Sequence, residues 1–161
     1  MRYFSIFILL VWAFSSQAQL LQDKTNFTRA DTLRGSLRPE RTDFDMLKYN
    51  LHLTINPQQK SISGYNEITF KVLEKQNIIQ LDLFDNMKID SIVFQGNRLK
   101  FNREFNAVFI DFEKKLKKGK TYDLQFYYYG NPIIAKNAPW DGGFVFNEDK
   151  NGNPWIAVAV Q

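Results

Sequence analysis

Across residues 47–55 the chain alternates without a slip: Leu47, Tyr49, Leu51, Leu53 and Ile55 are apolar, while Lys48, Asn50, His52 and Thr54 are polar. A period of two places the sets on opposite faces of an extended strand, and a helix cannot segregate them in that way. The alternation therefore predicts a half-buried strand. Asn56-Pro57-Gln58-Gln59-Lys60 follows as a turn, and Ile62, Gly64, Ile68, Phe70 and Val72 continue one face of a second strand, making a hairpin. Further short strands are read at 79–83, 89–94, 99–101, 107–112 and Tyr122-Leu124-Phe126-Tyr128, the second and third joined across Gly96-Asn97, with Gly130-Asn131-Pro132 as a stop. Phe, Tyr, Ile, Val and Thr dominate these runs, and no window carries a helical stripe of useful length. The fold class is all-β: antiparallel sheets of many short strands, stacked as a sandwich or bent into a saddle.

The two ends carry expectations of their own. Met1-Arg2, the apolar run 3–14 broken only by Ser5, and Ser16-Gln17-Ala18 have the charged, apolar and small-x-small parts of a secretory signal. Residues 1–18 are expected to be removed, leaving a mature chain from Gln19 in the periplasm or the medium. The apolar run falls short of the roughly 18–20 residues that span a bilayer, so no membrane association is expected after cleavage. With no cysteine there is no lipid-anchor thiol, disulfide framework or thiolate metal site. Residues 19–40 read as a polar lead-in and 41–161 as the all-β domain. Residues 155–160 form a last apolar strand that ends on Gln161 without a turn or cover, and it is expected to lead into further protein.

Catalytic chemistry is sparse. The formal net charge of +4 is a mild excess spread along the chain, which argues against nucleic acid as a partner. Its densest patch, Lys114, Lys115, Lys117, Lys118 and Lys120 around Gly119, reads as a solvated hairpin turn. The one histidine, His52, sits on the polar side of a strand; a general base needs a partner within hydrogen-bond reach, and a zinc site needs several ligands. There is no Gly-x-Ser-x-Gly elbow and no glycine-rich phosphate loop. Asp82, Asp85 and Asp90 read as strand-end turn formers rather than calcium ligands. Asp149-Lys150-Asn151-Gly152-Asn153 places its glycine two positions early for a calcium loop and lacks the bidentate Glu, so it reads as a tight turn. Asn26-Phe27-Thr28 is a glycosylation sequon.

Taken in order, Asp45, Tyr49-x-Leu51-x-Leu53, Pro57 and Gly64-x-x-x-Ile68-x-Phe70 closely resemble the opening hairpin of the zinc aminopeptidases of the aminopeptidase N and leukotriene hydrolase type. Leu81-Asp82-Leu83, Ile89-x-Ser91-Ile92 and Leu116-x-x-Gly119-Lys120-x-Tyr122-x-Leu124-x-Phe126-x-Tyr128-x-Gly130 resemble that family's later strands. Pro139-Trp140-Asp141-Gly142-Gly143-Phe144, Gly152-Asn153-Pro154-Trp155 and a strand ending in Gln161 are similar to its exported bacterial members. The resemblance covers roughly residues 30–161. It implies the N-terminal β domain of an exported metallopeptidase that removes N-terminal residues from peptides. The catalytic domain of the same polypeptide would carry His-Glu-x-x-His, a distal Glu and Gly-x-Met-x-Asn, none of which occurs here. There, zinc would polarise the scissile carbonyl and its water, with the motif Glu as general base. This chain itself is expected to hold no cofactor, metal ligand or catalytic residue and to be inactive alone. Gln161 is the one residue the resemblance assigns to substrate, its amide accepting from the free α-ammonium. The alternative is a stand-alone extracellular module holding carbohydrate or protein on aromatics around Trp140, Phe144 and Trp155, although those rings read more naturally as core.

Overall fold

The computed structural model describes residues 26–159. The signal segment 1–18 and Gln161 lie outside the described residues. The hairpin read from the alternation is present. β1 (Phe44–Asn56) runs antiparallel to β2 (Ser61–Val72), with Tyr49 opposite Ile68, Leu51 opposite Asn66, Leu53 opposite Gly64 and Ile55 opposite Ile62. Gly64 has φ of +151°, and a Cβ there would stand 1.9 Å from the His52 carbonyl oxygen, so only glycine fits this crossing of the two strands.

The chain continues through β3 (Ile78–Asp82), β4 (Met87–Phe94), β5 (Asn97–Arg98), β6 (Lys100–Glu104), β7 (Ala107–Asp111) and β8 (Thr121–Gly130), and closes with β9 (Gly143–Glu148) and β10 (Pro154–Ala159). One sheet has the order β1-β2-β8-β4-β5, a second β3-β7-β6, and β9 and β10 form a separate antiparallel pair. The turn from β4 to β5 passes through Gln95 and Gly96, both at positive φ, the geometry that matches the twist of a tight hairpin.

The two larger sheets face each other. Ile68, Phe70, Val72, Ile92, Leu124 and Phe126 from the five-stranded sheet meet Ile79, Leu81, Val108 and Ile110 from the three-stranded one. Phe112 packs edge-on against Phe94 at 5.0 Å and closes one end. Burying side chains of this size is worth roughly 1.5–3 kcal/mol each, so this block carries the stability of the domain.

The lead-in is ordered where it meets the small sheet. Helix α1 (Arg29–Gly35) begins in a capping box, Asp31 N donating to Thr28 Oγ1 and Thr28 N to Asp31 Oδ2, and is followed by α2 (Pro39–Thr42). Leu33 is buried beneath α1. Gln80, buried in mid-strand, accepts from Arg38 Nη2 and donates to Leu33 O at 3.0 Å and Asp82 Oδ1 at 2.7 Å, while Arg41 donates to Asp82 Oδ2 at 2.7 Å. These helices cover the outer face of β3, which is why Ile79, Gln80 and Leu81 are buried in succession. Asp82 is thus an ion-pair partner and not a turn former.

Two other expectations change. The lysine-rich segment is not a hairpin turn. β7 and β8 belong to different sheets, and 112–120 is the crossover between them, tied down by Leu116 N to Gln76 O and Gly119 N to Val72 O and plugged by buried Leu116. The apolar face of β1 is also less covered than its alternation implies. Tyr49, Leu51, Leu53 and Ile55 all remain exposed, because they lie on the edge strand, beside the inner strands whose Ile68, Leu124, Phe126 and Ile92 the three-stranded sheet covers.

Candidate functional site

At the open end of the large sheet the segment 131–159 folds back. Asp141 accepts from Lys136 N at 2.6 Å and Asn137 N at 2.9 Å, bonds that hold its carboxyl below the usual range, those from Asn137 contributing most. This turn delivers the chain to Gly143, where a Cβ would lie 2.7 Å from both Ala135 N and Ile133 O. Phe144 N donates to Ile133 O and Ala135 N to Phe144 O, so 133–135 straps β9 from outside. Asp149 closes the β9–β10 turn as read from the sequence, its Oδ1 accepting from Asn153 N and Asn151 N at 2.8 Å each. Those contacts lower its pKa, the Asn153 backbone bond most.

Between this hairpin and the sheet runs a groove of about 690 Å³ walled by Ile62, Met87, Tyr128, Phe144, Val158 and Ala159. Ala159 is the last described residue, so the strand leading to Gln161 borders the groove; Gln161 itself is outside the described residues. The groove is mostly apolar, with Arg34, Asn86 and the Tyr128 phenol as its polar lining. Burial raises the pKa of Tyr128 and keeps it a neutral donor. A smaller crevice of about 170 Å³ adjoins it, lined by Tyr49, Asn66, Asp82 and Tyr128 among others. Asn66 Oδ1 is buried there without a hydrogen-bond partner, and the Tyr49 phenol is pushed up first by burial and then by the charge of Asp82. The sequence carried a signal for this crevice that went unused: Asn66 breaks the apolar phase Ile62, Gly64, Ile68, Phe70.

The arrangement suits binding by shape and hydrogen bonds, with Arg34 at the groove and Asp82 at the crevice as the charged lining groups. His52 is exposed, as its place on the polar face implies, but its ring stacks on Tyr65 at 4.4 Å and lies 3.1 Å from Asn50 Nδ2. Among the described residues no group of three His, Asp or Glu could hold a metal ion, so the zinc implied by the resemblance has no fit here. Reading the C-terminal aromatics as core fails for two of the three. Trp140, in the turn that precedes β9, is 82% exposed, and Trp155, near the start of β10 in a two-stranded layer, 54%. Phe144 is partly buried and faces the groove.

No protein-family model matches the sequence, and no curated protein matches it. The fold does have solved counterparts. An M1 zinc metallopeptidase from Deinococcus radiodurans superposes with a TM-score of 0.54 at 22% identity, over 68% of this chain and 27% of that one. A mutant form of the enzyme from the same organism, bound to the substrate Tyr-Ser-Ala, gives 0.53 at 21% identity, over 70% and 28%. Yeast LTA4 hydrolase gives 0.53 at 17% identity, over 71% and 18%. The fold is therefore that of the N-terminal β domain of M1 zinc metallopeptidases, and the match spans about a quarter or less of those proteins.

Proposed function

We propose that this chain is the N-terminal β domain of an exported zinc aminopeptidase, supplying scaffold and one wall of the pocket that receives a peptide's N-terminus. The observation that carries this reading is the fold shared with M1 zinc metallopeptidases over about two thirds of the chain, including one bound to a Tyr-Ser-Ala substrate. The apolar groove along β10 fits it, since that strand runs toward Gln161, whose amide would accept from the substrate's α-ammonium. On this reading zinc, its ligands and the general base belong to a catalytic domain of the same polypeptide, and the secretory signal sends the protein to the periplasm or the medium.

The test is a paired measurement of zinc content and aminoacyl-nitroanilide hydrolysis. The chain alone is expected to be inert in both. The polypeptide encoded by the reading frame continued past Gln161 is expected to bind one zinc and to cleave. Chelator-sensitive hydrolysis by the chain alone, or a frame that closes at Gln161, sinks the proposal. The exposure of Trp140 and Trp155 favours a second reading, an extracellular module that holds carbohydrate or protein. Quenching of tryptophan fluorescence by an oligosaccharide, with a closed frame, is its signature.

A further inference from the structure

β1 forms one edge of the five-stranded sheet and is 13 residues long. A long exposed edge is a template for strand addition unless something blocks it. Among the described residues the blocks stand only at the ends: the bulge between Met46 and Lys48, and Pro57 immediately after Asn56. Residues 49–56 between them carry no Asp, Glu, Lys or Arg. The His52 carbonyl is turned toward β2, where it would meet a Cβ on Gly64. Alternation along an antiparallel ladder then turns the N–H and C=O groups of Tyr49, Leu51, Leu53 and Ile55 outward, away from β2. These four also carry the exposed apolar side chains.

We propose that β1 is a self-association edge, at which a second copy of this chain adds its own β1 antiparallel about a two-fold axis at His52. With the axis there Tyr49 faces the second copy's Ile55, Leu51 its Leu53, Asn50 its Thr54 and Lys48 its Asn56. Every outward backbone group finds a partner, in about eight inter-chain hydrogen bonds. The apolar stripe runs unbroken across the axis, and no two charged side chains of the strands oppose each other. A two-fold interface has to be self-complementary in this way. The polar face adds an independent sign. The ring row Tyr127, Tyr65, His52, spaced 4.9 and 4.4 Å, stops at this edge, and in the proposed register it continues into the second copy's His52, Tyr65 and Tyr127. A contact one strand wide belongs with the small interfaces, below about 1,200 Å², so the dimer is weak and depends on concentration.

Sedimentation of the purified chain should show mass rising from monomer to dimer with concentration. Two double variants at the same exposed positions then test the register. L51K/L53K sets lysine against lysine across the axis and should be monomeric throughout; L51K/L53E sets lysine against glutamate and should still dimerise. Circular dichroism checks that both fold. Should either fail to fold, amide exchange in the unmodified chain decides: the N–H groups of Tyr49, Leu51, Leu53 and Ile55 should slow as concentration rises. A monomer up to about 1 mM, where even a −4 kcal/mol association is half formed, overturns the proposal. Dimerisation of L51K/L53K like the unmodified chain, loss of dimer in folded L51K/L53E, or fast exchange at those four amides in a dimer overturns it equally.

Discussion

The inner face of the five-stranded sheet has two parts built on one pattern. On the inner strands β2, β8 and β4, Ile68, Leu124, Phe126 and Ile92 are buried under the small sheet; on the edge strand β1, Tyr49, Leu51, Leu53 and Ile55 lie open. Both obey the same alternation, and they share cross-strand rows, Tyr49 standing opposite Ile68 and Ile68 opposite Leu124. Alternation reports which side chains share a face, whereas the free energy comes from whether something covers it. Here the cover is the three-stranded sheet with its two helices, and it stops short of the edge strand.

The contrast can be broken most directly by cavity. Phe112→Ala, in the covered part, should cost about 3–5 kcal/mol in denaturant unfolding. Gly64→Ala lies beside the open edge strand, opposite Leu53, yet should come next. A residue with a Cβ pays about 1–3 kcal/mol for so unusual a backbone conformation, and the contact with the His52 oxygen adds to it. A loss under 1 kcal/mol would show that the β1–β2 crossing relaxes. Gln80→Ala should cost about 1–3 kcal/mol by removing the acceptor of Arg38 Nη2 and one of the two donors to Leu33 O. It should also expose residues 29–42 to limited proteolysis before the sheets unfold. Leu51→Ala, measured at low protein concentration, should change stability by no more than about 0.5 kcal/mol; a larger loss would mean that the open strip is covered after all.

The smallest effect is one of pH, confined to the 131–143 turn. The Asp141 pKa is lowered in the folded chain, so its contribution is present above the ordinary carboxylate range and lost as pH falls through the lowered value. The amide resonances of Lys136 and Asn137 should shift in that acid window, with no such transition in Asp141→Asn. A transition at or above the ordinary carboxylate pKa would contradict the bonds assigned to Asp141.

Much of the fold was legible. The β1–β2 hairpin, the strand status of 89–94 and 107–112 and the Asp149 turn all follow from period-two alternation and from turn residues, which act over a few positions. The basic segment was misread because a run of lysines around a glycine has the same composition in a hairpin turn as in a crossover; the difference lies in which sheet each flanking strand joins. Trp140 and Trp155 read as core because aromatic residues are core by default, and only the tertiary placement of the turn before β9 and of the two-stranded layer leaves them outside. Asn66 could have been noticed as the polar break in an apolar phase, but nothing local says that it borders a crevice with Tyr49 and Tyr128.

The sequence by itself determined the all-β class, the facing of each strand and the lack of a metal-ligand motif, because strand period, turn chemistry and residue inventory are local or compositional. Only the tertiary structure decided which part of the sheet is covered, that Gln80 anchors the lead-in, and that β1 is an edge with its outward backbone groups and apolar side chains on the same four residues. These properties depend on which distant strands are neighbours. Sheet order is settled by the packing of the whole core, and no window of the chain contains it.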